Sequence, residues 1–185
     1  ECAKALRDGA GAVDMVDNDG RTALMWACCN GSDECVQALI DADAAVDMVD
    51  NIGWTALMQA CYFGYHECAQ ALIDAGAAVD MVDNNGYTAL MKACDYGRHE
   101  CARALIAADA AVDMASNDGR TALMYACKLG HQECARALIV SGAVVDRADN
   151  AGETALMKAV MSPSLDEVRE ECAEESDMDE DSDDD

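Results

Sequence analysis

Gly86-Tyr87-Thr88-Ala89-Leu90-Met91-Lys92-Ala93-Cys94 is the stretch that decides the fold, because its Thr-Ala-Leu-Met segment recurs along the chain. The copies are spaced 33 residues apart and begin at Thr22, Thr55, Thr88, Thr121 and Thr154. A constant period of this length is typical of stacked repeat proteins, in which one unit cannot bury its own apolar face. The sequence therefore predicts an array of repeats rather than a single globular core.

Each copy carries signals for two helices. The Asp-Asn-Asn-Gly run at residues 83–86 is turn chemistry, and Thr88 is placed to cap a helix over Ala89–Asp95. Gly97 ends that helix, and Glu100 opens a second one with an apolar stripe. The repeat is therefore predicted to be helix, tight turn, helix and a long hairpin-like loop.

This pattern resembles the ankyrin repeat. The family's Thr-Pro-Leu-His motif appears here as Thr-Ala-Leu-Met, and its Gly-Ala-Asp-Val-Asn loop appears as Gly-Ala-Ala-Val-Asp at residues 76–80. The glycine between the two helices is found at Gly31, Gly64, Gly97 and Gly130. The resemblance implies an all-α solenoid of helix pairs joined by hairpin-like loops. It also implies protein binding through the loop tips and the groove formed by the first helices.

Two departures from the family motif stand at the start of the first helix. Alanine replaces the proline that pre-sets the first helical turn. Methionine replaces the histidine that, in ankyrin repeats, ties neighbouring loops by hydrogen bonds. We expect both changes to lower stability without changing the fold.

The repeat period divides the chain into units. Residues 1–16 are predicted to be the second helix and loop of a partial repeat. Full repeats are predicted at 17–49, 50–82, 83–115 and 116–148, and a partial repeat at 149–161. Because the chain begins at Glu1 inside a repeat, it is interpreted as a fragment of a longer protein.

The C-terminal end leaves the repeat pattern. Ser164 and Glu167 have capping-box spacing, and Leu165, Val168 and Cys172 lie at helical offsets, so residues 162–173 are predicted to form a capping helix. Residues 174–185 are almost entirely acidic and are predicted to be a disordered tail. In that tail, Ser176 and Ser182 are candidate phosphorylation sites because an acidic residue follows each by three positions.

The formal net charge of −25 limits the classes of partner. A negative surface repels phosphates, so nucleic-acid binding is not expected, and a basic protein is the electrostatically favoured partner. No signal peptide or membrane-spanning run is recognised, so no membrane association is expected. The chain is expected to act as a monomer.

Nine of the eleven cysteines recur in two positions of the repeat, which indicates a packing role. Reduced cysteine behaves as a small buried hydrophobe and predicts an intracellular, cytoplasmic or nuclear location. One thiol per layer is too sparse for a shared zinc ion, and the Asp-Asn-Asp-Gly turn at 17–20 lacks the ligand spacing of a calcium loop. No cofactor, metal or catalytic set is therefore predicted.

Candidate binding residues lie at positions that differ from one repeat to the next. Aromatic and basic side chains concentrate at these positions and do not recur with the core, so we expect them to face outward or onto the groove. The predicted partner-binding residues are Arg21, Trp26, Trp54, Tyr62, Phe63, Tyr87, Lys92, Tyr96, Arg120 and Tyr125.

The function predicted from these features is a non-enzymatic protein-interaction module, a scaffold or adaptor. An alternative is a regulatory or targeting segment of a larger enzyme whose catalytic domain lies outside this fragment. A third interpretation makes the acidic tail the active part, with the repeats carrying it.

Overall fold

The computed structural model describes residues 13–161, which form helices joined by turns and loops. Only isolated bridges, such as the one between Val16 and Thr22, link extended residues in this range, so the predicted all-α class is confirmed. The helices are α1 (Ala23–Cys29), α2 (Asp33–Ile40), α3 (Ala56–Phe63), α4 (His66–Asp74), α5 (Ala89–Asp95), α6 (His99–Ala107), α7 (Ala122–Lys128), α8 (Gln132–Val140) and α9 (Ala155–Val160).

Four of the five described first helices begin with the threonine cap that the sequence predicts, whereas Thr121 before α7 makes no side-chain cap bond. The Thr88 hydroxyl oxygen accepts a hydrogen bond from the Met91 amide at 3.2 Å, and Thr22, Thr55 and Thr154 cap α1, α3 and α9 in the same way. This bond satisfies one of the amides that a helix leaves unpaired at its start. The second helix carries a glutamate in its first turn in every pair, next to the positive end of the helix dipole.

The helices stack in two layers. The first helices α1, α3, α5, α7 and α9 pack successively on one another, and the second helices α2, α4, α6 and α8 form the other layer. The core between them consists of small and aliphatic side chains. Leu90, Met91 and Cys94 of α5 and Leu105 of α6 are each at most 1% exposed. Burying a side chain of this size contributes roughly 1.5–3 kcal/mol, so the repeated motif is also the main source of stability.

Methionine at the position of the family's histidine is a core residue in four repeats, since Met25, Met58, Met91 and Met124 are each 1% exposed. In the last described helix, Met157 is 52% exposed. Neighbouring loops are joined by other groups. The Asn117 side chain donates to the Asn84 carbonyl at 3.2 Å, and the Ala111 amide donates to the Asp80 carboxylate at 2.9 Å. The equivalent bonds recur at the other described loops. The loops are therefore tied across repeats without histidine.

Glycine at the turn is required by this close approach. Gly86 has a φ of 77°, and a Cβ there would lie 2.7 Å from the Asn117 side-chain oxygen. Both the left-handed backbone and the contact with the next loop exclude other residues. The glycine thus allows the loop of one repeat to pack closely on the loop of the next.

Several expectations concern residues outside the described range. The partial repeat over residues 1–12, the capping helix at 162–173, the disordered tail at 174–185 and the phosphorylation sites Ser176 and Ser182 all lie there. None of the helices within residues 13–161 reaches the length and apolarity that crossing a bilayer requires.

Candidate protein-binding surface

The predicted binding residues come from three places in the repeat. Arg21, Trp54, Tyr87 and Arg120 directly precede the threonine that caps a first helix. Trp26, Lys92 and Tyr125 are the fourth residue of a first helix, and Tyr62, Phe63 and Tyr96 lie at the end of one. Residues at the same position have different environments, since Trp26 is 44% exposed whereas Lys92 is 8% exposed, so the ten residues do not form one surface.

Five aromatic side chains form a contiguous group across two repeats, which we call the aromatic cluster: Trp54, Tyr62, Phe63, Tyr65 and Tyr96. Tyr62 lies at its centre, with ring centroids 5.2 Å from Trp54 and 4.9 Å from Phe63. The Tyr96 ring is 4.3 Å from Tyr62, and the Tyr65 ring stacks on Phe63 at 6.2 Å. Contacts of this geometry stabilise each pair by about 0.5–1.5 kcal/mol beyond the buried area.

The ends of the helices position these rings. Tyr62 and Phe63 are the last residues of α3, Tyr96 follows α5, and Tyr65 precedes α4. Tyr65 fits against the preceding repeat because Gly31 has no side chain, since a Cβ there would lie 2.5 Å from the Tyr65 ring. The cluster is therefore held by secondary-structure termini rather than by a mobile loop.

The aromatic cluster has an anchored side and an exposed side. Trp54 is half-buried, and its indole N–H donates to the Asp83 carboxylate at 3.1 Å. Phe63, Tyr65 and Tyr96 are 41%, 37% and 42% exposed. Aromatic rings that are fixed at one edge and open at the other are the usual anchors of protein interfaces.

Charges of both signs lie next to the cluster. The Lys92 ammonium is 4.4 Å from the Trp54 ring, and the Arg98 guanidinium donates to the Tyr62 carbonyl at 3.3 Å. Asp95, which precedes Tyr96, is half-buried, and desolvation raises the pKa of its carboxyl above the ordinary value. Hydrogen bonding to Tyr62, together with desolvation, raises the pKa of Tyr96 to about 12, so its phenol is neutral at physiological pH. The surface therefore offers neutral aromatic faces with the Asp95 carboxylate on one side and the Lys92 and Arg98 cations nearby.

Lys92 and Tyr125 were predicted to face outward or onto the groove and to bind a partner, and this is wrong because both are buried. Lys92 is 8% exposed, with its ammonium 3.0 Å from the Asp83 carboxylate and between the rings of Trp54 and Tyr87, at 4.4 and 4.1 Å. Tyr125 is 3% exposed, and its hydroxyl lies 3.2 Å from that of Ser116. Both fill the space between a first helix and the loop before it, and a partner cannot reach them.

Tyr87 and Arg120 are half-buried parts of the same interior network. The Tyr87 ring is 5.1 Å from that of Tyr125, and desolvation raises the pKa of Tyr87 well above its ordinary value. The Arg120 guanidinium lies 3.3 Å from the buried Asp149 carboxylate. These two side chains join neighbouring repeats, and only part of each is accessible.

Arg21 and Trp26 form a separate pair in the first described repeat. Trp26 is 44% exposed, and its indole N–H donates to the Asp17 carboxylate at 2.9 Å. The Arg21 guanidinium carbon lies 5.2 Å from the Trp26 ring centroid. An arginine over an indole is a favourable cation–π arrangement, so this exposed ring already carries a cation from its own chain.

Tyr65 belongs to the aromatic cluster but is not among the binding residues predicted from the sequence. It lies in the turn between two helices, outside the positions that hold the other aromatic residues. The sequence signal was its variation among repeats, since the same position holds Ser32, Arg98 and His131 elsewhere. Its packing against Phe63 could be seen only once the turn was placed in space.

Stacked helix pairs with loops joined across repeats and an exposed aromatic cluster define a helical repeat protein of the interaction class. The comparisons agree with this class. A family model described as ankyrin repeats (3 copies) matches residues 1–83, 30–118, 72–149 and 108–182. The chain belongs to the ankyrin repeat family. No curated protein matches the chain.

The ankyrin repeat domain is a non-catalytic fold, and ankyrin repeats in general bind protein partners. Within residues 13–161, no three His, Cys, Asp or Glu side chains are grouped as metal ligands. The chemistry available at the aromatic cluster is therefore that of an interface, with apolar and aromatic contact, hydrogen bonding by phenols, and attraction of cations.

Proposed function

We propose that this chain is a protein-interaction module, a scaffold or adaptor, that binds a partner protein through the aromatic cluster. The observation that carries the proposal is the contiguity of five rings, of which Phe63, Tyr65 and Tyr96 are each more than a third exposed. Interfaces are enriched in tyrosine, tryptophan and phenylalanine, and a few such residues supply most of the binding energy.

The partner is proposed to be basic and to place a lysine or arginine on the cluster. The net charge of −25 attracts a cationic protein, and Asp95 provides a carboxylate beside Tyr96. The chain already shows that its rings hold cations, since the Lys92 ammonium lies 4.4 Å from the Trp54 ring. We expect a partner cation to use the free faces in the same way.

The chain is further proposed to act as a monomer in a reducing compartment, the cytoplasm or the nucleus. Six of its repeated cysteines are at most 1% exposed: Cys28, Cys61, Cys68, Cys94, Cys101 and Cys134. Their role is packing, and burial raises the pKa of the Cys28 thiol well above its ordinary value. Core thiols of this kind are typical of intracellular proteins.

The proposal is tested by comparing the proteins that wild-type and variant chains retain from a cell extract, followed by affinity measurement on the retained protein. The Phe63→Ala/Tyr96→Ala variant is expected to lose about 2 kcal/mol or more of binding free energy, close to a thirtyfold weaker Kd. Because both rings also contact Tyr62, this variant is expected to lose about 1–3 kcal/mol of stability. Affinity is therefore compared at a temperature at which both chains are fully folded.

Val140→Ala is the matched control, since Val140 is 82% exposed on α8, in the other layer. This variant should bind like the wild type. An unchanged affinity in Phe63→Ala/Tyr96→Ala, or an equal loss in Val140→Ala, would show that the aromatic cluster is not the binding surface.

A further inference from the structure

An apolar groove lies beside α9, the last helix that the structure describes. It has a volume of about 380 Å³ and is lined by Leu123, Cys127, Ile139, Val145, Leu156 and Ala159. In the preceding repeats, each first helix packs against a second helix of the same repeat, as α5 does against α6. No second helix accompanies α9 within residues 13–161.

The thiols show which residue should enter the groove. Each first-helix cysteine lies next to the second-helix cysteine of the following repeat, as Cys61 does to Cys101 and Cys94 to Cys134. Both pairs are separated by 40 residues in sequence. Cys127 lines the groove, and the same separation points to the segment just after α9, close to residue 167.

The sequence after α9 fits a second helix if its turn is one residue longer. In the third repeat, Glu100 and Cys101 are followed by Leu105, four positions after the cysteine. Glu167 and Val168 are followed by Cys172 at the same spacing. Cys101 follows Cys94 by seven positions, whereas Val168 follows Val160 by eight, and the extra residue falls in the Ser-Pro-Ser run at 162–164.

The same alignment provides a contact at the turn. The residue before each second helix packs on the glycine of the preceding turn, as Arg98 does on Gly64 and His131 does on Gly97. In this series Leu165 is the residue that would lie on Gly130. An apolar side chain suits that position because the stem of Arg98 and the ring of His131 make the existing contacts.

The alignment also provides a charge pair on the outer face. Arg103 of α6 pairs with Glu133 of α8 at 3.0 Å. Arg136 occupies the position of Arg103 one repeat later, and no carboxylate lies within 4.0 Å of it among residues 13–161. In this register Glu167 is the residue opposite Arg136. The charge pair and the spacing of the apolar residues therefore indicate the same alignment.

We propose that residues 166–173 form the second helix of the fifth repeat, with Leu165 directly before it, and occupy this groove, with Val168 and Cys172 against Cys127 and Leu156. Arg169 then takes the position of Ala102, which in the third repeat faces the following layer. A charged residue there gives the stack the polar outer face that a terminal repeat needs. The ankyrin repeat match, which extends to residue 182, supports this assignment.

Photo-crosslinking of the full chain tests the occupant. A benzoylphenylalanine in place of Leu156, which is 73% exposed at the rim of the groove, is expected to crosslink within the chain to peptides containing residues 165–173. The same probe at Ile52, also exposed but in a distant loop, should not reach that segment. Crosslinks between two chains, crosslinks to other segments only, or no crosslink would each overturn the proposal.

A second measurement uses hydrogen exchange of the α9 amides in the full chain. Val168→Lys places a charge in the groove and is expected to speed exchange about tenfold, because local opening becomes easier. Glu170→Lys is the matched control, because Glu170 takes the exposed position of Arg103 and should leave exchange unchanged. Equal exchange in the two variants would contradict the proposed register.

Discussion

At the scale of single residues, the first residue of the turn before each first helix and the residue nine positions later change as a pair from repeat to repeat. Asp83 pairs with Lys92 at 3.0 Å, whereas Ser116 pairs with Tyr125 at 3.2 Å one repeat later. Asp149 and Lys158 form a third pair, at 2.8 Å. In these three repeats, variation at the two positions therefore reflects alternative ways to satisfy a buried polar group. The equivalent Asp17–Trp26 pair of the first described repeat is exposed instead.

This pairing predicts a large cost for removing one member. Lys92→Met leaves the Asp83 carboxylate, which is 5% exposed, without its cation. We expect the free energy of unfolding to fall by about 3–5 kcal/mol, since an uncompensated buried charge is strongly destabilising. Urea denaturation followed by circular dichroism measures the change.

The fourth repeat supplies the control for this prediction. The double variant Asp83→Ser/Lys92→Tyr copies the Ser116–Tyr125 pair into the third repeat. It should be more stable than Lys92→Met, because the charge and its partner are removed together. A double variant that is no more stable than Lys92→Met would show that the two positions do not act as a pair.

At the scale of secondary-structure elements, one helix start differs from the others. The Thr88 hydroxyl accepts a hydrogen bond from the Met91 amide, whereas the Thr121 hydroxyl is buried and has no partner among the described residues. The two helices have closely similar sequences, ALMKACD and ALMYACK. The same cap residue therefore contributes differently in two repeats.

Replacing the threonine by valine keeps the shape of the side chain and removes only the hydroxyl, so it measures the contribution of the cap hydrogen bond. Thr88→Val should lower the free energy of unfolding by about 1 kcal/mol, because it removes an N-cap acceptor. Thr121→Val should be neutral or slightly stabilising, since removing an unpaired buried hydroxyl loses no bond. Chemical denaturation of both variants makes the comparison, and equal losses would contradict the assigned difference.

At the scale of the whole molecule, charge and stacking have separate roles. The chain has a net charge of −25, yet its interior pairs acids with Lys92, Arg120 and Lys158. Thirteen of the acidic residues follow position 165, outside the described range. We therefore propose the aromatic cluster and this acidic segment as two independent sources of attraction for a basic partner.

Salt dependence separates the two sources. The association rate with a lysine- or arginine-rich partner is expected to fall roughly tenfold or more as salt rises, because long-range attraction is screened. Deleting residues 174–185 should reduce this salt dependence and slow association while leaving the effect of Phe63→Ala/Tyr96→Ala intact. Stopped-flow kinetics over a salt series measures both.

Loss of all binding on deletion of residues 174–185 would be the opposite outcome. It would favour the interpretation in which the acidic tail is the active part and the repeats carry it. Retained binding with unchanged salt dependence would show that the tail plays no part in attracting the partner.

The sequence by itself determined the fold, because the 33-residue period places the same small apolar side chains in every layer. It predicted the Ala89–Asp95 helix, its threonine cap and the buried cysteines, all of which depend on local chemistry repeated in register. It also selected Phe63 and Tyr96 as exposed aromatic residues.

Only the tertiary structure decided which of the variable residues are accessible. Trp54 and Lys92 belong to neighbouring repeats, yet both bind the carboxylate of Asp83. Tyr125 is buried against the turn that contains Ser116, nine residues before it. Accessibility depends on distances across the stack, which the period of a sequence does not contain. A repeat pattern specifies which residues are equivalent, whereas packing between layers specifies which of them reach solvent.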